Sequence, residues 1–263
     1  MERTILWSVN EGVGRFTFNR PDHANSMCLA VRSDMLEGIQ RMIEPDVRVL
    51  VISGNGKFFN TGGDITEFRG NLEKLDGGID EVLKFMQPSL YKLATLPIPV
   101  ISAINGPLAG AGIGFALCAD FVLASDTAKL RGGFCGIGLS PDMASSYFLT
   151  RRIGAAKAKQ IFMLNRVLSA QECLHLGIVD QVHPAAHLTS AVDDLAAELA
   201  AGPTSCYGRV KRLCDSAHLN DLQTHLDLEH KLQLQSARST ECKEGVLSYI
   251  EGRAPDFPRT LNT

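Results

Sequence analysis

Two stretches of bare backbone stand where helices begin, and both could hold an oxygen bearing negative charge. In Ile104-Asn105-Gly106-Pro107-Leu108-Ala109-Gly110-Ala111-Gly112-Ile113-Gly114, a β-branched run ends at Ile104 and breaks at Asn105-Gly106-Pro107, which is turn chemistry. Small residues then open a helix at about Ala111. In Phe59-Asn60-Thr61-Gly62-Gly63-Asp64-Ile65-Thr66-Glu67, Gly62-Gly63 precedes a helix entrance. Residues this small let a ligand touch the main chain. The first N–H groups of a helix lack partners within it and sit at the positive end of its dipole. Close packing of helix on strand is the plainer use of the same glycines. A dinucleotide fingerprint does not fit: the glycines run G-A-G-I-G rather than G-x-G-x-x-G, and a strand resumes at Phe121 before a Rossmann helix could be completed.

Other chemistry-bearing residues read first as structure. Asp64 with Glu67 is a capping-box pattern, so Asp64 is expected to cap or pair. Ser140-Pro141-Asp142 reads as N-cap, N1 and N2 of a helix over 143–152, an acid favoured there by the dipole. Ser145-Ser146 lacks the G-x-S-x-G surroundings of a nucleophile, and His23 falls in a polar loop. The seven cysteines (28, 118, 135, 173, 206, 214, 242) are odd in number and never spaced C-x-x-C. That pattern points to reduced thiols and a cytoplasmic protein, with no disulfide framework and no metal site.

The elements that must position these residues alternate between strands and helices. A hairpin of 4–8 and 14–18 closes at Asn10-Glu11-Gly12. A helix over 29–43, with Met35, Leu36, Ile39 and Met42 facing the core, leads to a buried strand over 48–53. A helix over 79–96 feeds the strand 99–104. Strands at 121–125 and 128–131 follow, then the helix 143–152. Ser169-Ala170-Gln171-Glu172 caps a further helix, and a strand is expected over 177–182. From about residue 186 the chain reads as helices only: 187–200, 203–216, 219–236 and 240–252. At 263 residues, 45% hydrophobic and 21% charged, the chain can bury a sizeable α/β core. Its net charge of −3 argues against nucleic acid as a partner. The chain has no eighteen-residue apolar run to cross a membrane, and its first residues lack the pattern of a signal peptide.

Taken in order, the motifs resemble the crotonase (enoyl-CoA hydratase/isomerase) superfamily. They are Asn19-Arg20-Pro21 with Asn25-Ser26-Met27, Phe59 to Asp64, Asn105-Gly106 with Gly110-Ala111-Gly112, Ala119-Asp120, Gly138-Leu139-Ser140-Pro141, and Glu244-Gly245 through Arg253 and Phe257. The resemblance implies a spiral of β-β-α turns over 1–186 that binds acyl-CoA. It also implies an all-helical module over 187–263 that assembles a homotrimer or a dimer of trimers. It places the thioester carbonyl between the N–H groups of Gly63 and Ala111. Coenzyme A would lie along Asp22 to Ala24 and along Gly63, Asp64, Ile65 and Thr66, entering as part of the substrate, with no separate cofactor.

The departures from the family pattern set the expected chemistry. The two glutamates of the family's hydratases fall at Gly114 and Phe134, neither of which can carry a proton. Asp142 falls where several enoyl-CoA isomerases of the family keep their catalytic carboxylate. Phe134, Ser140-Pro141-Asp142 and Leu226-Asp227-Leu228-Glu229 together resemble the members that isomerise ring-1,2-epoxyphenylacetyl-CoA. The resemblance therefore implies a one-carboxylate isomerase of fatty- or aromatic-acyl catabolism. Hydratase-like or dehalogenase-like chemistry on an acyl-CoA, and acyl-CoA binding without turnover, are its rivals.

Overall fold

The hairpin forms as its turn residues require. In the computed structural model, which describes residues 2–69 and 72–258, strands β1 (Ile5–Asn10) and β2 (Val13–Phe18) pair antiparallel. Glu11 and Gly12 both take positive φ between them, the conformation that a two-residue hairpin needs to match strand twist. A 3-10 turn (Leu29–Val31) leads into α1 (Arg32–Met42), which buries Met35, Gly38, Ile39 and Met42. Leu36, expected on that face, is exposed instead.

Beyond the hairpin the chain winds in repeated turns. Strand β3 (Val49–Gly54) runs parallel to β2 and leads through the glycine loop to α2 (Ile65–Arg69) and α3 (Leu75–Ala94). Strand β4 (Val100–Ile104), the two-residue β5 (Leu108–Ala109) and α4 (Ala111–Leu117) make the next turn. Strand β6 (Phe121–Ser125), β7 (Lys129–Arg131) and α5 (Ser145–Leu164) make another. Each turn places one strand in a six-stranded sheet of order β1-β2-β3-β4-β6-β9. From β4 onward it also places one in a three-stranded sheet of order β5-β7-β8. Strand β8 (Val167–Ser169), α6 (Ala170–Leu176) and β9 (Gln181–His183) close the spiral. The Ser169–Glu172 capping box is complete on both sides. Gly177, expected to open a strand, is the left-handed C-cap of α6, and the strand starts only at Gln181.

The central strands are buried on both faces, as parallel strands sandwiched between layers must be. Leu50, Ile52, Val100, Ile104 and Val122 face the main core with Phe16, Phe18, Phe59 and Phe115. Phe18 meets Phe16, Phe59 and Phe115 edge-on at 5.3–5.8 Å. The alternate residues Val49, Val51, Ile101, Ala103 and Leu123 face Leu188, Val192, Ala196 and Leu199 of α7 (Leu188–Ala201). The boundary expected at 186 falls just before a helix that packs on this sheet. Helix α7 is the cover of the sheet's second face, and a core ending at 186 would leave five apolar strand residues bare. Helices α8 (Thr204–Ser216), α9 (Leu222–Ala237) and α10 (Thr240–Glu251) follow. They bury little: Thr204 of α8, Leu232 of α9, and Glu241 and Ser248 of α10. Among the described residues no helix is long and apolar enough to cross a membrane, and no group of three or more His, Cys, Asp or Glu is placed to hold a metal.

Candidate active site

The two glycine loops lie side by side because Asn60 ties them together. Asn60 is completely buried. Its side chain donates to the carbonyl of Asn25 (2.8 Å) and accepts from the N–H of Gly62 (2.9 Å). Its own carbonyl accepts from the N–H of Ala109 (3.1 Å). The chain at 60–62 thus continues the three-stranded sheet beside β5, with a bridge from Asn60 to Leu108. The crossing is close enough to exclude side chains. A Cβ on Gly62 (φ +86°) would stand 2.9 Å from the nitrogen of Ala111, and one on Gly112 would stand 2.1 Å from the Asn60 carbonyl oxygen.

This crossing leaves two N–H groups unspent. Met27 donates to the carbonyl of Gly62 (2.7 Å), and Asp64 donates back to the carbonyl of Met27 (2.8 Å). Gly63 lies between those bonds, and its N–H reaches no acceptor among the described residues. Ala111 is the first residue of α4, so its N–H has no partner within the helix either. Gly110, with φ +56° and ψ −129°, supplies the kink that turns this N–H out of the sheet. Both residues line one cavity of about 420 Å³.

Asp142 lines the same cavity, and it does not cap α5. The helix begins three residues later, with Ala144 in the cap position and no side-chain capping bond. Asp142 contributes only its main-chain carbonyl, which accepts from Ser145 (2.9 Å). The expected start at 143 is delayed because Met143 (φ +46°) and Ala144 (φ +53°) are both left-handed, a conformation the helix cannot include. Beyond Gly154, which breaks its regularity (φ +77°, ψ +157°), α5 continues to Leu164, well past the expected end at 152. The Asp142 carboxylate has one oxygen, Oδ1, buried without a partner among the described residues. Burial pushes its pKa from the usual 3.8 up to about 6. The apolar walls explain the direction, since an unpaired charge in such surroundings loses hydration that nothing replaces. Leu139 and Phe134 are among them, with Ile79, Val82, Leu83 and Met86 of α3 and Ile137 of the loop.

The two positions where the resemblance would place a hydratase's glutamates, Phe134 and Gly114, are closed in two ways. Phe134 is buried, its ring 6.2 Å from that of Phe162. At Gly114 a Cβ would fall 1.8 Å from the carbonyl oxygen of Met143, so no side chain fits without moving the chain beside Asp142.

The expected coenzyme-binding residues are only partly brought together. Gly63 and Ile65 line the cavity; Asp22, Ala24, Asp64 and Thr66 do not. Asp22 is exposed on a 3-10 turn (Pro21–His23), and Ala24 offers its carbonyl to the hydroxyl of Thr61 (3.1 Å). The Asp64 carboxylate is engaged on one side by the loop of Arg20 and Ser26 and on the other by its own. Oδ2 accepts from Arg20 (3.1 Å) and Ser26 (3.2 Å), and Oδ1 from the N–H (3.2 Å) and hydroxyl (2.6 Å) of Thr66. These donors hold its pKa below the usual carboxylate range against the opposing effect of burial, which is the largest single influence. The capping box read from Asp64 and Glu67 is not completed: Asp64 caps through Thr66, and its own N–H is taken by Met27.

Three contributors were not read from the sequence. Ser145, completely buried, donates its hydroxyl to the carbonyl of Gly110 (3.2 Å) and so ties the Asp142 segment to the Ala111 entrance. Asn165 accepts the N–H of Gly133 (2.7 Å) and lines the cavity with Arg131. Glu67 is a second carboxylate on the cavity wall, on an exposed side chain. Ser145 carries no motif, and Arg131 and Asn165 lie 34 positions apart, so only the fold relates them.

Comparison with known proteins finds relatives along nearly the whole chain. The family model described as enoyl-CoA hydratase/isomerase matches residues 8–260. A 1,2-epoxyphenylacetyl-CoA isomerase of Escherichia coli is 35% identical over 98% of this chain and 99% of its own. A trans-2-decenoyl-[acyl-carrier-protein] isomerase of Streptococcus mutans is 32% identical over 97% and 98%. The crystal structure of a proposed enoyl-CoA hydratase/isomerase from Mycobacterium abscessus superposes with a TM-score of 0.90 at 31% identity, covering 96% of this chain and 98% of that one.

Proposed function

This chain belongs to the enoyl-CoA hydratase/isomerase family, with the family's crotonase-type spiral, and on that premise we propose that it is an acyl-CoA double-bond isomerase working with one carboxylate, Asp142. One observation carries the reading. Two main-chain N–H groups and one buried, partly unpartnered carboxylate line a single apolar cavity, while the two positions a hydratase would use hold Phe134 and Gly114.

In this reading the thioester oxygen sits between the N–H groups of Gly63 and Ala111. Asp142 removes a proton from the α-carbon, and the electron pair of the broken C–H bond passes to the carbonyl oxygen as an enolate. The two N–H donors meet the charge as it develops, each worth about 3–4 kcal/mol of barrier. Asp142 then returns the proton to the γ-carbon, so the double bond moves and no water enters. A carboxylate with a pKa of about 6 suits both halves, since it is ionised at neutral pH yet holds a proton more firmly than an exposed aspartate. The coenzyme A part lies along Asp22–Ala24 and Gly63–Thr66, held largely by main chain, and the acyl group fills the apolar side of the cavity. The assembly is a homotrimer or a dimer of trimers, supported by the apolar residues that α9 and α10 leave exposed, among them Leu222, Val246 and Ile250.

The test offers a β,γ-enoyl-CoA and an α,β-enoyl-CoA separately to the wild-type protein, Asp142→Asn and Glu67→Gln. Isomerisation of the first substrate, lost in Asp142→Asn and kept within a few-fold in Glu67→Gln, is the expected result. Water addition to the second substrate, abolished in both variants, would establish a two-carboxylate hydratase instead.

A further inference from the structure

A second cavity, also of about 420 Å³, lies where the C-terminal helices meet the core. Its wall brings together Arg48 from just before β3, Thr204, Arg209 and Arg212 from α8, and Glu241 from α10. Five side-chain polar atoms in the described residues are buried with no partner: Asp142 Oδ1 in the candidate active site, Ser102 Oγ, and three that belong to residues of this wall. Those three are Arg48 Nη1, Thr204 Oγ1 and Arg209 Nε. Leaving such a group unmet costs about 1–3 kcal/mol, more where it is charged, so their convergence calls for an explanation.

The remaining atoms of these residues are held firmly. Arg48, 6% exposed, donates Nε to the carbonyl of Ala200 and Nη2 to that of Gly202, both at 2.6 Å. Arg209 donates Nη2 to the hydroxyl of Ser205 (3.0 Å) and lies 3.8 Å from Glu241. Thr204, 9% exposed, is the first residue of α8, whose N-cap is a proline with no capping side chain. Glu241 is already committed: it accepts from the N–H groups of Ser205 (3.0 Å) and Cys206 (3.2 Å) and from the Ser205 hydroxyl.

The unmet atoms share one polarity. Both guanidinium nitrogens can only donate, and the threonine hydroxyl can donate as well. A water placed among them would bring two more donors needing acceptors. An oxyanion brings acceptors alone, and charge-assisted bonds to it are the strong kind. The charge balance has the same sign: three arginines face the carboxylates of Glu241 and the exposed Glu44.

We propose that this cavity binds a small oxyanion of the phosphate or sulfate class, gripped by Arg48, Thr204, Arg209 and Arg212. The anion clamps α8 and α10 to the N-terminal end of β3 in the main sheet, at a site separate from the proposed acyl-CoA cavity.

Thermal unfolding and calorimetric titration of the full chain with inorganic phosphate test this, at constant ionic strength and against sodium chloride. Phosphate should raise Tm saturably, and chloride should not. Thr204→Val keeps the shape and removes the hydroxyl; Arg212→Gln removes a charge on an exposed side chain. Each should weaken phosphate binding by about tenfold or more and leave phosphate-free isomerase turnover unchanged. Adenosine monophosphate binding with the same sensitivity to both variants would mark a phosphate monoester as the better ligand of the class, whereas a preference for inorganic phosphate would mark the free ion. A rise in Tm that never saturates and persists in both variants would show only exclusion of the salt from the surface, and would overturn the proposal. So would the absence of any phosphate effect in the wild-type protein.

Discussion

Replacing Asp142 with asparagine should slow the enzyme and steady the fold, and pH should control both effects. Burial lifts the Asp142 pKa from 3.8 to about 6. Below pH 3.8 the acid is neutral in both folded and unfolded chains. Between 3.8 and about 6 the folded protein keeps a proton that the unfolded chain releases, so stability falls as pH rises. Above 6 the full cost of burying the charge is present, about 3 kcal/mol. Asp142→Asn removes that cost, so the variant should be more stable than wild type by up to about 3 kcal/mol at pH 8 and no more stable at pH 4. Turnover should fall by about three orders of magnitude, the usual scale for losing a positioned acid–base group. In the wild-type protein kcat/KM should decline below pH 6, reaching about a tenth of its plateau at pH 5. An aspartate of ordinary pKa would still be about nine-tenths active there. Urea denaturation at the two pH values and the absorbance of the conjugated thioester measure these quantities. A stability difference independent of pH, or a flat rate profile down to pH 5, would refute the assignment of Asp142 as a desolvated base.

Gly62→Ala should cost about 100-fold to 1,000-fold in kcat, because its Cβ would meet the Ala111 nitrogen at 2.9 Å with φ at +86°; steady-state kinetics on folded protein check this. Wild-type protein should hydrate crotonyl-CoA slowly or not at all, and a rate near 10³ per second, at the upper end of ordinary enzymes, would contradict the one-carboxylate reading. Phe134→Glu should raise that hydration while lowering stability by about 3–5 kcal/mol, since a buried ring is lost and an acid takes its place; denaturant titration and hydration assays measure both. Sedimentation at micromolar concentration should give a trimer or larger, and a stable, active monomer would contradict the assembly.

What the sequence made legible was what local chemistry determines. Glu11-Gly12 is a hairpin turn wherever it occurs between such strands, and Ser169 with Glu172 satisfies a helix entrance without outside help. Gly62-Gly63 and Gly110-Ala111 read as bare backbone at two helix entrances, and the fold sets those two loops side by side. The rest depended on partners distant in sequence. Strands β5 and β8 have two and three residues, too few for any periodicity to show. The capping reading of Asp142 failed because Ser140-Pro141-Asp142 is a sound local entrance. The helix is instead delayed to Ser145, whose hydroxyl is drawn to the carbonyl of Gly110. Helix α7 reads as one of a helical series, and nothing in its own sequence says that Val192 and Ala196 face Val51 and Ile101 rather than another helix.

The closed position at Gly114 and the presence of Asp142 have a single structural origin. Met143 and Ala144, both left-handed, carry the chain into the cavity wall at a cost of about 1–2 kcal/mol each. That path brings Asp142 to the wall of the cavity that Gly63 and Ala111 also line. It also sets the Met143 carbonyl 1.8 Å from where a Cβ on Gly114 would be. An acid cannot be restored at 114 while this segment keeps its course, and the segment cannot change course without withdrawing Asp142. On the proposed mechanism, the choice between two acids flanking a water and one acid shuttling a proton is therefore built into the backbone, and exchanging single side chains should not fully reverse it. The left-handed pair persists at its energetic cost because Ser145 anchors the far end to Gly110, one residue before the Ala111 donor. One buried hydroxyl thus ties the Asp142 segment to the Ala111 helix entrance, the two parts to which the proposed function gives proton carrier and oxyanion donor.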